Sequence, residues 1–268
     1  MKAVSLLKYH HSGRDNLNEK RHFHDHEFEI LHILSGDGTM MIKDKLYPLS
    51  PNTVFFISGS DAHCSMPENP SGYIRNKINF SKDFLASLSA QLNCTDTVDQ
   101  LFSQGGVAVN LPIEASLKID ECFLKINEAN SFGEIPPLVL FLNIFTIIET
   151  VTENSKKSVP CIKNKISDVI EYINKNIDQK LSLDTISKNT NISKYYLCHT
   201  FCDAVGMTVF EYIEFVRMSK AKQLLSETNE SISYIATLTG YDSCAYFGKV
   251  FKTRENITPT QYRKKYYR

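Results

Sequence analysis

No stretch of the 268-residue chain approaches the roughly 18 to 20 consecutive apolar residues that a membrane-crossing helix needs. The opening, Met1-Lys2-Ala3-Val4-Ser5, lacks the apolar core of a secretion signal. The expectation is a soluble, cytoplasmic protein with no membrane partner. No Cys-x-x-Cys pair occurs, and the seven cysteines (Cys64, Cys94, Cys122, Cys161, Cys198, Cys202 and Cys244) are odd in number and scattered, as suits free thiols in a reducing compartment. Cys198 and Cys202 stand four apart on one helix face, but no second ligand pair accompanies them, which argues against zinc. Net charge is missing too: 30 Lys and Arg balance 30 Asp and Glu. The balance is not even along the chain. Residues 161–268 hold 16 basic against 11 acidic side chains, and residues 1–160 hold 14 against 19. Such asymmetry is a cue for a nucleic-acid-binding half.

What the basic half contains is a repeat. Ile186 maps onto Ile235 at an offset of 49; Phe201 onto Phe251, Thr208 onto Thr258 and Tyr212 onto Tyr262 all fall at 50. One residue inserted in the second turn accounts for the change, and self-similarity at this period marks a duplicated supersecondary unit. Each copy reads as a short helix, a tight turn and a second helix. In the first, Asp184 to Asn189 is helical, Asn191 breaks it, and Ser193 can cap a helix whose stripe is Leu197, Phe201 and Ala204 or Val205. Gly206 suits a left-handed end to that helix. In the second, Ile232, Ile235 and Ala236 form the short helix, Gly240 turns the chain, and Asp242 is the expected cap of a helix burying Phe247, Val250 and Phe251. Val209 to Ser226 joins the two.

The ungapped stretch 163–267 resembles the C-terminal domain of AraC/XylS-type bacterial transcription regulators. The resemblance rests on Ile232-Ser233-Tyr234-Ile235-Ala236, Gly240-Tyr241-Asp242-Ser243, Tyr246 to Lys252, and Thr258-Pro259-Thr260-Gln261-Tyr262-Arg263, with Arg217 to Leu225 as the connecting helix. It implies an all-α domain with two helix-turn-helix units, promoter DNA and RNA polymerase as partners, and activation in response to an effector. The second helix of such a unit lies in the major groove, its outward residues on base edges. Those are Ser193, Lys194, Tyr195, Cys198, His199 and Cys202 in the first unit. In the second they are Ser243, Cys244, Gly248, Lys249 and Lys252, with Arg254 nearer the DNA backbone. The chain departs from the family in carrying His199 at a usually basic position, Cys202-Asp203 for the usual Lys-Lys, and Asn256 for Gly. The thinner charge of the first unit shifts electrostatic binding to the second.

Residues 21–80 read as short strands broken by turns: Phe28 to Leu34, Thr39 to Ile42, Leu46 to Leu49, Thr53 to Ile57 and Tyr73 to Phe80, the last clear strand. Such a pattern suits a small barrel or sandwich. Residues 81–153 switch to helix, with Ser81 as a cap, an apolar run from Ile113 to Asn130, and another after Pro136-Pro137 so apolar that it must pack on two faces. These helices are the expected homodimer surface. The expected division is a sensing and dimerisation domain over 1–153, a polar linker over 154–162, and the DNA-binding domain over 163–268. The fold class is two-domain α+β.

The spacing of His22, His24, Glu29 and Gly36, with His63 farther on, resembles the cupin motifs of jelly-roll barrels, the usual sensor of this regulator family. In that resemblance Lys77 to Ser81 closes the barrel, and His22, His24, Glu29, His32 and His63 are candidates for the polar lining of an effector pocket. Three imidazoles and a carboxylate could hold iron, manganese or zinc. Pro51-Asn52 in place of Pro-Gly, and the extra His26 and His32, weigh against a metal. The expectation is an organic effector, no cofactor and no enzyme activity. Phe55 and Tyr73 are expected in the core. The alternative is a cupin metalloenzyme fused to a DNA-binding domain.

Overall fold

The computed structural model describes residues 27–58, 61, 63–91, 107–131, 135–154 and 159–267. It has two compact units, Met1–Ile162 and Lys163–Arg268. The first is a β-sheet domain with helices; the second is helical.

In the first unit, β1 (Glu27–Ser35), β4 (Thr53–Ser58), β6 (Ile74–Ser81) and β7 (Val107–Asn110) form one sheet in the order β6-β1-β4-β7. The strands β2 (Gly38–Ile42), β3 (Lys45–Leu49) and β5 (His63–Pro67) form another, ordered β3-β2-β5. All recorded pairings are antiparallel. Strand β1 carries apolar residues on both faces because both are covered. Leu31 and Ile33 join Phe55, Ile57, Met40 and Tyr73 in the core between the sheets. Ile30 joins Val54, Phe56, Ile78 and Phe80 against α2 (Ile113–Ser131) and α3 (Pro137–Glu153). A ten-residue helix, α1 (Lys82–Gln91), follows β6 directly, and the Phe84 amide reaches Ser81 Oγ at 3.5 Å.

Two expectations change here. Tyr73 to Phe80 is not the last strand, since β7 pairs with β4 (Val54↔Val109) inside the stretch read as helical. Within the chain α3 buries one of the two faces expected to pack and leaves Leu138 and Leu142 exposed on the other. The end of the expected linker lies on the sheets: Val159 donates its amide to Ala108 O at 2.8 Å, Ile162 to Leu46 O at 2.6 Å, and Val159 and Cys161 pack on the inner core.

The second unit runs α4 (Lys165–Lys175), α5 (Leu183–Thr190), α6 (Lys194–Val205), α7 (Val209–Glu227), α8 (Ile232–Leu238), α9 (Cys244–Glu255) and α10 (Pro259–Tyr266). The repeat governs its backbone. Ser182 and Ser231 cap the short helices α5 and α8; Ser193 and Ser243 cap α6 and α9; Thr208 and Thr258 cap α7 and α10. Each hydroxyl accepts from the third amide of its helix, a bond worth about 1 kcal/mol. The left-handed positions repeat as well: Asn191 (φ 55) with Gly240 (φ 80), and Gly206 (φ 65) with Asn256 (φ 60). So does the packing. Phe201 meets Tyr212 edge-on at 5.6 Å, and Phe251 meets Tyr262 edge-on at 5.4 Å. Asp242 is not the cap of α9; it is exposed, and Ser243 Oγ takes the Tyr246 amide instead. In the first copy Val205, not Ala204, closes the buried stripe.

Candidate functional site

The turns set which side of α6 and α9 is outward. Leu197, Phe201 and Val205 fix α6 by its inner face, as Phe247 and Phe251 fix α9. Full burial of side chains this size stabilises by about 1.5–3 kcal/mol each, so the rotation of each helix is well determined. On α6 this leaves Lys194, Tyr195, Cys198 and His199 exposed and Cys202 half-buried. Tyr195 is 76% exposed and lies against His199 with ring centroids 4.4 Å apart. On α9, Cys244, Lys249 and Lys252 are exposed, and a Cβ built on Gly248 would meet nothing within 4 Å. Ser193 and Ser243 are exposed but hold helix caps.

Two of the expected cations are engaged within the chain. Lys194 pairs with Asp184 of α5. Arg254 Nη2 lies 2.7 Å from Glu214 Oε2 on α7. Helices α6 and α9 also expose aromatic residues outside the expected set: Tyr246, 61% exposed on the first turn of α9, and Tyr196 on α6. Tyr246 lines a cleft of about 230 Å³ together with Phe210, Glu214, Arg217, Tyr241 and Asp242. Arg217, expected only as part of the connecting helix, donates from Nε to Ile177 O at 3.2 Å and from Nη2 to Gln179 O at 2.7 Å. Its guanidinium sits 5.5 Å from the centre of the Tyr241 ring. Burial lowers the Arg217 pKa and raises that of Tyr241.

In the first unit, Glu29 is almost sealed from solvent and faces the space between the sheets. Its Oε2 lies 3.1 Å from Lys77 Nζ and accepts from Asn79 Nδ2 at 3.1 Å; its Oε1 lies 3.4 Å from His63 Nε2. His63 Nδ1 is 2.9 Å from the Asp61 carbonyl, which can only accept, so Nδ1 carries the hydrogen. Strand register explains the group: Glu29 stands opposite Asn79, and Leu31 opposite Lys77. His22 and His24 lie outside the described residues. His32 does not join the group. It is three residues from Glu29 on the same strand and so faces the other way, its Nε2 2.8 Å from Ser116 Oγ and its Nδ1 3.0 Å from Asp120 Oδ1 on α2. Among the described residues no three His, Cys, Asp or Glu side chains gather at one point. The Lys77 ammonium supplies Glu29 with the positive charge that a metal would bring, so this part of the motif does not fit a cation. What it presents is a buried ion pair flanked by an imidazole and an amide, polar groups converging on an apolar interior.

Residues 8–120 match the AraC-like ligand binding domain, and residues 186–265 match a helix-turn-helix domain. Over 263 residues the chain is 24% identical to the HTH-type transcriptional activator RhaR of Mannheimia succiniciproducens, covering 92% of this chain and 91% of the relative. It is 26% identical to the lactose operon transcription activator of Staphylococcus xylosus, covering 87% and 83%. Among solved structures, the C-terminal domain of AraT, a response regulator from Geobacillus stearothermophilus, is 30% identical with a TM-score of 0.38, covering 40% of this chain and 88% of that one. With a ligand-binding domain of this type ahead of two helix-turn-helix units, the chain belongs to the AraC family of DNA-binding transcription regulators.

Proposed function

We propose that the chain is an effector-responsive transcription activator that binds promoter DNA through both helix-turn-helix units. The observation that carries this is the duplication itself: two outward helices with matched caps and matched buried stripes, joined by the single helix α7. Such a pair suits successive major grooves on one face of the duplex, about 34 Å apart. The base-edge set is Lys194, Tyr195, Cys198, His199 and Cys202 on α6, and Cys244, Gly248, Lys249 and Lys252 on α9. Ser193 and Ser243 stand at the helix starts nearest the phosphates, and Arg254 at the far end. With Lys194 and Arg254 ion-paired, Lys249 and Lys252 supply most of the attraction. The relatives RhaR and the lactose operon activator are activators by name, which supports that sign of regulation and a contact with RNA polymerase.

The first unit takes a small organic molecule, with Glu29, His63, Lys77 and Asn79 as its polar anchors, and performs no turnover. Two copies associate through the uncovered sides of α2 and α3, where Ile113, Leu117, Leu124, Leu138 and Leu142 are exposed on helices that otherwise build the core. Effector binding then changes how two DNA-binding halves are presented.

A titration of the full chain against DNA from its neighbouring promoters, at several salt concentrations, tests the reading. Log affinity should fall linearly with log salt as phosphate contacts release counterions. Affinity indifferent to both salt and DNA sequence would refute it.

A further inference from the structure

We propose that Arg217 is a positioning residue that fixes the separation of the two reading helices, and with it the base-pair spacing of the two half-sites the protein accepts. The inference rests on the reading that α6 and α9 both enter DNA. Three elements meet at this side chain. From the middle of α7 it reaches back to the loop before α5, donating to Ile177 O and Gln179 O at 3.2 and 2.7 Å. Its guanidinium also lies over Tyr241, buried in the turn between α8 and α9. The neighbouring Gly240 has φ 80, and a Cβ there would fall 2.3 Å from Ile177 O and 2.6 Å from Arg217 Nη2. The loop before α5, the connecting helix and the turn between α8 and α9 are thus pressed together with no room for one more carbon.

Three residues before Arg217, on the same face of α7, Glu214 holds Arg254 at the end of α9. On the other side of the connector, Asn174 Nδ2 of α4 donates to Tyr212 OH at 2.8 Å. These bonds hold α4 to one side of α7 and α9 to the other. Arginine suits the central place because its planar fork donates in two fixed directions while stacking on a ring; the point charge of lysine cannot do both. DNA makes the geometry consequential. Each added base pair moves a half-site by about 3.4 Å and turns it by about 35°, given about 10–10.5 base pairs per turn of about 34–36 Å. A rigid pair of helices accepts one spacing; a loosened pair accepts its neighbours.

The experiment uses the full chain, wild type and Arg217→Lys, each selecting from a pool of random DNA duplexes. Wild type should recover two base blocks at one separation, with affinity falling about tenfold when a base pair is added or removed between them. Arg217→Lys should recover the same blocks with the separation spread by one base pair either way, and that discrimination reduced to about threefold or less. Retention of wild-type spacing discrimination by Arg217→Lys, whatever its overall affinity, overturns the proposal. Should Arg217→Lys not fold, Glu214→Gln at the half-exposed second tie gives the same readout: a broadened spacing supports the proposal and an unchanged one overturns it. A wild type that selects a single block refutes the two-helix reading itself, which separates that failure from failure of the clamp.

Discussion

Lys77 Nζ stands 3.1 Å from Glu29 Oε2, and both residues are at most 3% exposed. Two opposite charges removed from water together must each be compensated, and breaking such a pair typically costs about 3–5 kcal/mol. Lys77→Met should therefore lower the melting temperature of the first unit sharply. Glu29→Leu combined with Lys77→Met should recover much of the loss, since an apolar pair of similar size has no charge to desolvate. Thermal denaturation of the two variants decides the matter. A Lys77→Met protein as stable as wild type would mean that Glu29 is hydrated in solution.

Ser243 and Asp242 offer a second contrast. Ser243 Oγ accepts the Tyr246 amide at 3.3 Å and starts α9. Asp242 is the residue by which the second turn exceeds the first, and it is exposed. Ser243→Ala should cost about 1 kcal/mol, while Asp242→Ala should stay within about 0.5 kcal/mol of wild type, as surface substitutions usually do. Chemical denaturation of each variant measures both. Equal losses would return the cap to Asp242.

The contrast shows what was legible in the sequence. Cap and turn chemistry is local, so Ser193, Gly206 and Gly240 could be read directly, and the buried stripes of α6 and α9 followed from their spacing. Asp242 was misjudged because an acidic residue before a helix is as good a cap as serine, and only the backbone shows which one starts the helix. The cluster at Glu29 depends on β1 pairing with β6, 50 residues away in sequence at Asn79. No local rule gives that register. A signal for His32 was nonetheless present: an odd separation from Glu29 along one strand puts the two on opposite faces. Strand β7, four residues long, is too short for periodicity to reveal.

The exposed leucines of the first unit predict an assembly. Leu138 and Leu142 are one turn apart on α3, 67% and 54% exposed, on a helix whose opposite side is fully buried. If a second copy covers them, Leu138→Lys with Leu142→Lys should shift the chain from dimer to monomer without loss of its melting transition. Sedimentation at micromolar concentration reads the change. A doubly substituted protein that sediments as wild type would place the contact elsewhere.

Lys249 and Lys194 allow the DNA-reading faces to be weighed against each other. Both are exposed at the outward side of a reading helix. Lys194 is paired with Asp184, so binding DNA must either break that pair or carry its negative charge toward the phosphates. Lys249 stands beside Gly248, where the helix surface is open and a base edge can approach closely. A lysine on a base edge contributes about 1–3 kcal/mol of discrimination. Lys249→Ala should therefore weaken specific binding by about tenfold or more and relax the preference for the base it meets. Lys194→Ala should change affinity by only a few-fold, because the exposed pair it breaks is worth about 0–1 kcal/mol and its charge was already offset. Binding isotherms for the two variants, taken on the operator and on copies with single base changes, give both quantities. A larger loss for Lys194→Ala would show that the first helix-turn-helix carries the electrostatic contact and that Asp184 releases its lysine to the DNA.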